Sequence, residues 1–150
     1  MLHYGWNREL AAWAADKLGI PNHDFGPCVS IGVSHKGALV AAAIYNEYRH
    51  PNIHVTFVTT SPRWASPGAV KTILSYPFKQ LGCKRISAIT NATNQPARAF
   101  LCRLGFKQEG VHPDLLPDGD AVSYGLLVKD AARWLSEDKT RVETISSRTT

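Results

Sequence analysis

Hydrophobic positions along the chain change their period several times, and each change predicts an element. From Asn7 to Leu18, Leu10, Trp13, Ala14 and Leu18 recur at the spacing of one helix face, and Gly19 and Pro21 stop the run. Residues 28–48 read as a hairpin: small and β-branched residues from Cys28 to Val33, a tight turn at His35-Lys36-Gly37, then a second strand through Tyr48. Arg49-His50-Pro51-Asn52 is a further turn, and Ile53 to Thr60 alternates Ile, Val and Phe with His and Thr, which predicts a strand. A helix follows, with Ser66 as N-cap, Pro67 in its first turn, and Val70, Ile73, Leu74, Phe78 and Leu81 on one face. Pro77 is expected to kink or shorten its last turn, and Gly82 to end it.

Lys84 to Thr90 predicts another strand. Asn94 then opens a helix whose Ala97, Phe100, Leu101 and Leu104 share a side, closed by Gly105-Phe106. Lys107–Val111 and Ala121–Val128 read as strands around a loop that contains Pro117-Asp118-Gly119-Asp120. Ala131 to Leu135 suits a short helical turn, and 136–150 a polar, flexible tail. The order α-β-β-β-α-β-α-β-β, with short turns early and a strand–helix–strand crossover later, predicts one α/β domain over residues 1–135. Its sheet is mixed antiparallel and parallel, with helices on both faces.

Composition narrows the class. The chain has 150 residues, 44% hydrophobic and 19% charged, enough for a core and against disorder. The longest apolar run, Ala38 to Tyr45, is far short of the ~20 residues of a membrane span, and no signal segment opens the chain. Cys28, Cys83 and Cys102 form no CxxC pair, which argues against a disulfide framework and a metal site and suits a cytoplasmic protein. Charge is more informative by position than by its total of +5. Between Glu47 and Glu109 there is no acidic residue, yet nine Lys and Arg lie there; Glu109, Asp114, Asp118 and Asp120 then follow closely. A basic stretch followed by an acidic one suggests an anionic ligand and a cationic one bound in succession.

Two junctions carry candidate chemistry. Thr60-Ser61-Pro62-Arg63-Trp64-Ala65-Ser66-Pro67-Gly68-Ala69 runs from a strand end into a helix start, where amide N–H groups and the helix dipole can cradle a phosphate. Asn94-Gln95-Pro96-Ala97 through Leu104-Gly105-Phe106 is the second. The latter resembles the N-x-x-A…L-G-F signature of the GNAT superfamily of acyl-coenzyme-A-dependent N-acetyltransferases. In the same register, Arg63-x-x-Ser66-x-Gly68 matches that family's (Q/R)-x-x-G-x-(G/A) pyrophosphate loop at its first and last defined positions. Leu104 to Gly110 with Tyr124-Gly125 looks most like the branch that includes ribosomal-protein N-terminal acetyltransferases. The resemblance spans roughly 28–135.

It implies that the strand before the loop and the next parallel strand splay apart and admit the acyl-pantetheine arm of acetyl-CoA, the co-substrate, with no metal. Val58, Thr59 and Thr60 would contact the acetyl and pantetheine groups, with an N–H near Val58 facing the oxyanion. Arg63, Trp64, Ala65, Ser66, Gly68 and Ala69 would hold the pyrophosphate side, and Asn91 and Asn94 would face the arm or adenosine. Trp64 could instead cap the core. Two departures stand out: Ser66-Pro67 replaces the first loop glycine and removes an amide donor, and Leu101 occupies the position where many relatives carry a thiolate-protonating Tyr.

For the amine acceptor, a small molecule or protein, candidate bases are His54, Glu47 and Glu109. Tyr124, Tyr45 and Cys102 are candidate donors to the thiolate. Glu109, Asp118 and Asp120 would attract a cationic substrate. Two alternatives stay open: a GNAT-fold protein that binds or modifies nucleic acid, against which the modest net charge counts, and a non-catalytic CoA-binding module. Monomer and homodimer are both compatible.

Overall fold

A computed structural model describes residues 1–5, 7–18, 25, 27–60 and 64–135. Its strands are β1 (Leu2–Tyr4), β2 (Val29–His35), β3 (Ala38–Arg49), β4 (Asn52–Thr59), β5 (Arg85–Asn91), β6 (Lys107–Leu116) and β7 (Gly119–Leu127). The helices are α1 (Asn7–Leu18), α2 (Pro67–Ser75), α3 (Gln95–Leu104) and α4 (Ala132–Leu135). All strands join one sheet in the order β1-β2-β3-β4-β5-β7-β6, antiparallel except for the β4–β5 pair. The expected mixed sheet with helices on both faces is therefore present. No described helix is long and apolar enough to cross a membrane.

Alternation along the strands divides the core in two. Ala42, Ile44 and Val58 face α1, where they pack against Leu10 and Ala14. Gly32 permits this approach: a Cβ there would lie 2.6 Å from a Leu10 methyl. Leu10, Ala11, Ala14 and Ala15 form the buried stripe of α1, whereas Leu18, the last residue of the helix and part of the face read from sequence, is exposed. The opposite face carries Ile31, Ala43, Tyr45, Ile53, Val55, Ile86, Val122 and Leu126 and is covered by α2, α3 and α4.

Local chemistry explains the element ends. Ser66 caps α2 through Oγ, which accepts from Ala69 N–H at 3.2 Å. Pro77, with no N–H to donate, lies in a five-residue π-helical turn, Tyr76–Gln80, that ends the helix. At the end of α3, Phe106 N–H bonds Leu101 C=O and Gly105 N–H bonds Cys102 C=O, with Gly105 left-handed at φ 110°.

Two expectations need correction. β1 was not foreseen, because three residues give no periodicity; its stability comes from pairing with β2. The loop expected between Val111 and Ala121 is instead the continuation of a hairpin, with β6 running to Leu116 and β7 starting at Gly119. Pro113 is tolerated because β6 is an edge strand, and irregular register near Gly110 and between His112 and Leu116 absorbs the extra residues. Residues 136–150, read as a flexible tail, lie outside the described residues.

Gly105 is a sharp stability test, since a Cβ there would sit 2.9 Å from the Asp130 carbonyl oxygen in a left-handed backbone. Gly105→Ala is expected to cost about 1–3 kcal/mol in denaturant unfolding.

Candidate functional site

The site is built around an opening in the sheet. β3 accompanies β4 as far as Thr59, and β7 accompanies β5 as far as Asn91. Yet β4 and β5 pair only at Asn52↔Arg85, Ile53↔Ile86 and His54↔Ser87. Beyond that rung the two strands part.

Register tells which backbone groups face the opening. Thr60 N–H bonds Val40 C=O, so the even residues of β4 bond to β3 and the odd ones turn toward β5. Ala92 N–H bonds Asp120 C=O, which likewise commits the even residues of β5 to β7. The backbones of Phe57 and Ile89 therefore face each other across the gap. Val58, near which an amide was expected to face the oxyanion, is itself turned to β3 opposite Ala42, and its side chain is buried against α1. Thr59 and Thr60 are exposed at the mouth.

On the α2/α3 side, aromatic rings lie beneath the opening. Phe57 meets Phe100 edge-on at 5.5 Å between centroids, and Trp64 meets Phe100 at 5.2 Å. Trp64 is buried, which corrects its assignment to the cofactor: of the two roles weighed for it, the structure gives the core cap. It anchors the loop that leads into α2.

In that loop Ser66 N–H bonds Trp64 C=O and Ala69 N–H bonds the Ser66 cap, so two of the expected amide donors are engaged internally. Among the described residues the amides of Ala65 and Gly68 have no partner and lie at the positive end of α2. Arg63 lies outside the described residues.

These features meet in a recognisable arrangement, and a model of the acetyltransferase (GNAT) family matches residues 3–106. The chain belongs to the GNAT acetyltransferase family. No curated protein matches it. Among solved structures, it is similar to a ribosomal-protein-S5-alanine acetyltransferase from Vibrio fischeri, with TM-score 0.58, 20% identity, 67% of this chain and 61% of that one. It thus spans about three fifths of that protein. A chimera of spermidine N-acetyltransferase SpeG from Vibrio cholerae and hSSAT superposes with TM-score 0.65 at 14% identity, covering 91% of this chain and 98% of that one. A GNAT-family acetyltransferase from Bacillus anthracis gives 0.57 at 18% identity, covering 80% and 86%. At these identities the likeness is one of fold.

Several residues singled out in the GNAT reading are held by other partners. Glu109 forms a bidentate ion pair with Arg85, one arm at 2.7 Å, and that bond holds its carboxyl below the usual range. The pair lies over Gly125, where a Cβ would come within 2.5 Å of Glu109 Oε2. Glu109 is therefore a poor base and a poor amine anchor. Asp118 accepts from Asn91 Nδ2 at 2.9 Å, and Asp120 accepts from Asp114 N–H at 2.9 Å, so both shape their hairpin. Asn91 Oδ1 also accepts from Thr93 N–H, and Asn94 Oδ1 caps α3 through Ala97 N–H.

The expected thiolate donors are similarly placed. Tyr124 is buried and its hydroxyl accepts from Arg98 Nε at 2.9 Å beneath α3. Tyr45 donates to Ile73 C=O, and burial raises its pKa well above the ordinary value. Cys102 is exposed on α3. Part of the basic stretch is structural as well, since Arg85, Arg98 and Lys79 bond to Glu109, Tyr124 and Leu135 C=O.

His54 stands apart. It occupies the last β4–β5 rung, where the opening begins. Burial lowers its pKa, partly countered by the charge of Glu47, so its imidazole is neutral and able to accept a proton at pH 7. Glu47 is exposed at the β3 irregularity with φ 52° and lines a cavity of about 680 Å³ with Phe25, Tyr45, Asn46, Tyr48 and Tyr76. Sequence reasoning missed Asn46, Phe57 and Ile89. Pairing register identifies all three, and register is not written in residue type.

His54 also sets a pH signature. Its folded pKa lies below the unfolded value of about 6.5, so the unfolded chain protonates first as pH falls, and stability drops below about pH 6.5. Denaturation midpoints between pH 8 and 5 should show a shallower decline in His54→Gln than in the wild type.

Proposed function

We propose that this protein transfers an acetyl group from acetyl-coenzyme A to a primary amine, by direct attack in a ternary complex. The observation that carries the reading is the three-rung β4–β5 ladder, which leaves Phe57 and Ile89 backbone groups facing an opening. Paired amides and carbonyls of this kind suit the two amide units of a pantetheine arm laid between the strands. The Ala65 and Gly68 amides, the α2 dipole and Arg63 suit its pyrophosphate.

Acetyl-coenzyme A supplies an activated acyl group: the amine nitrogen bonds to the thioester carbonyl carbon, the C–S bond breaks, and the coenzyme leaves as a thiolate that takes up a proton from solvent. The protein's residues do the rest. Phe57 N–H faces the opening, where a polarised carbonyl oxygen can be held. His54, neutral at the apex, accepts the proton the attacking amine must lose. Holding both reactants together supplies much of the acceleration.

With Glu109, Asp118 and Asp120 engaged elsewhere, Glu47 is the carboxylate best placed to attract a cationic acceptor. The aromatic walls of its cavity suit the same charge. The proteins of like fold named for acting on an alanine of ribosomal protein S5 and on spermidine both take amines.

Two substitutions separate binding from chemistry. Arg63→Ala should weaken coenzyme A in calorimetry by about 1.5–3 kcal/mol, the scale of a charged hydrogen bond. His54→Gln should leave that affinity intact and lower kcat/KM for amine-dependent thiol release by about 10²-fold or more. Coenzyme binding with no thiol release from any amine or peptide would count against the enzyme reading.

A further inference from the structure

Asn46 and His54 are direct partners across β3 and β4, on the sheet face toward α1. In an antiparallel bonded pair the Cα atoms are about 5.5 Å apart, so the two side chains stand next to each other. Asn46 Nδ2 donates to Phe25 C=O at 3.1 Å. That bond fixes the amide's orientation, because the flipped form would set oxygen against oxygen. Oδ1 is thereby directed elsewhere, and it is the buried side-chain polar atom that has no partner among the described residues. A sequestered carbonyl oxygen calls for a donor. The imidazole of His54, itself largely buried and without a hydrogen bond among the described residues, is the group opposite it.

We infer that Asn46 is a positioning residue for His54: a rotation of the ring brings one N–H onto Asn46 Oδ1, which selects a tautomer and leaves the other nitrogen's lone pair for the amine. The inference rests on His54 being the base of the proposed reaction. The charged and polar surroundings are consistent with it. Glu47 is the charge felt by the ring from β3. On β5, Ser87 donates to Asn52 Oδ1 at 2.7 Å and accepts from Arg85 Nε, whose guanidinium is committed to Glu109. Among the described residues, Asn46 Oδ1 is thus the buried acceptor beside the ring that lacks a donor, whereas the Glu47 side chain is exposed. A neutral amide is also suited to the task, because it orients the ring without raising its proton affinity as a carboxylate would.

The test is nitrogen NMR of the full chain labelled at histidine, read without coenzyme or amine, with the His54 signals identified by their loss in His54→Gln. Above its pKa, wild-type His54 should show one dominant tautomer. Asn46→Ala should shift the tautomer ratio at least several-fold toward the mixture seen in unfolded chain. Asn46→Asp, close in shape and informative even where the alanine variant does not fold, should keep a single tautomer and raise the His54 pKa by about one unit or more. A wild-type ring already divided between tautomers, a ratio unchanged in Asn46→Ala, or a pKa unmoved in Asn46→Asp overturns the inference. Because no substrate is present, these outcomes are independent of the activity of His54→Gln, which tests the base assignment itself.

Discussion

The structure turns on one interrupted hydrogen-bond ladder. β4 and β5 are joined by three parallel rungs and then separate, while beyond the separation β4 stays paired with β3 as far as Thr59 and β5 with β7 as far as Asn91. Backbone N–H and C=O groups in a sheet interior are ordinarily paired, because leaving them unpaired is costly. Here a segment of each central strand turns such groups toward its departed partner. The rings of Phe57, Trp64 and Phe100 pack against one another on the α2/α3 side of the sheet beneath. The antiparallel strands on either side supply the rigidity that keeps the opening from collapsing.

Everything with chemical potential is arranged relative to that opening. Residues 64–66, which lead into α2, are tied down by buried Trp64 and the Ser66 cap. His54 sits at its apex with its charge suppressed by burial. Internal partners keep the neighbouring charges occupied: Arg85 in an ion pair with Glu109 over Gly125, and Arg98 in a hydrogen bond to the hydroxyl of Tyr124. With these charges internally satisfied, the neutral His54 imidazole and a few oriented amides are what the opening presents to the proposed attack of an amine on a thioester.

Periodicity and punctuation made most of the frame legible. The alternation of Ile53–Thr60, the Ser66-Pro67 start and the Gly105 ending each act through near neighbours, and each appears as expected. What escaped depends on partners distant in sequence. β1 exists through β2, and the length of the β6–β7 hairpin depends on register irregularities that accommodate Pro113. Glu109 looked available because Arg85, 24 residues away, gives no sign of its destination. Trp64 read equally well as a stacking surface or a core residue until Phe57 and Phe100 were placed around it. The Asn46–His54 pairing likewise emerges only once the strands are in register.

The most direct test of the central claim is amide hydrogen exchange by NMR as coenzyme A is added. Phe57 and Ile89, in the middle of the chain's two parted strands, should slow markedly, together with Ala65 and Gly68, while even-numbered neighbours such as Val58 change little. Protection confined to another part of the sheet, with Phe57 and Ile89 unaltered at saturation, would contradict the account.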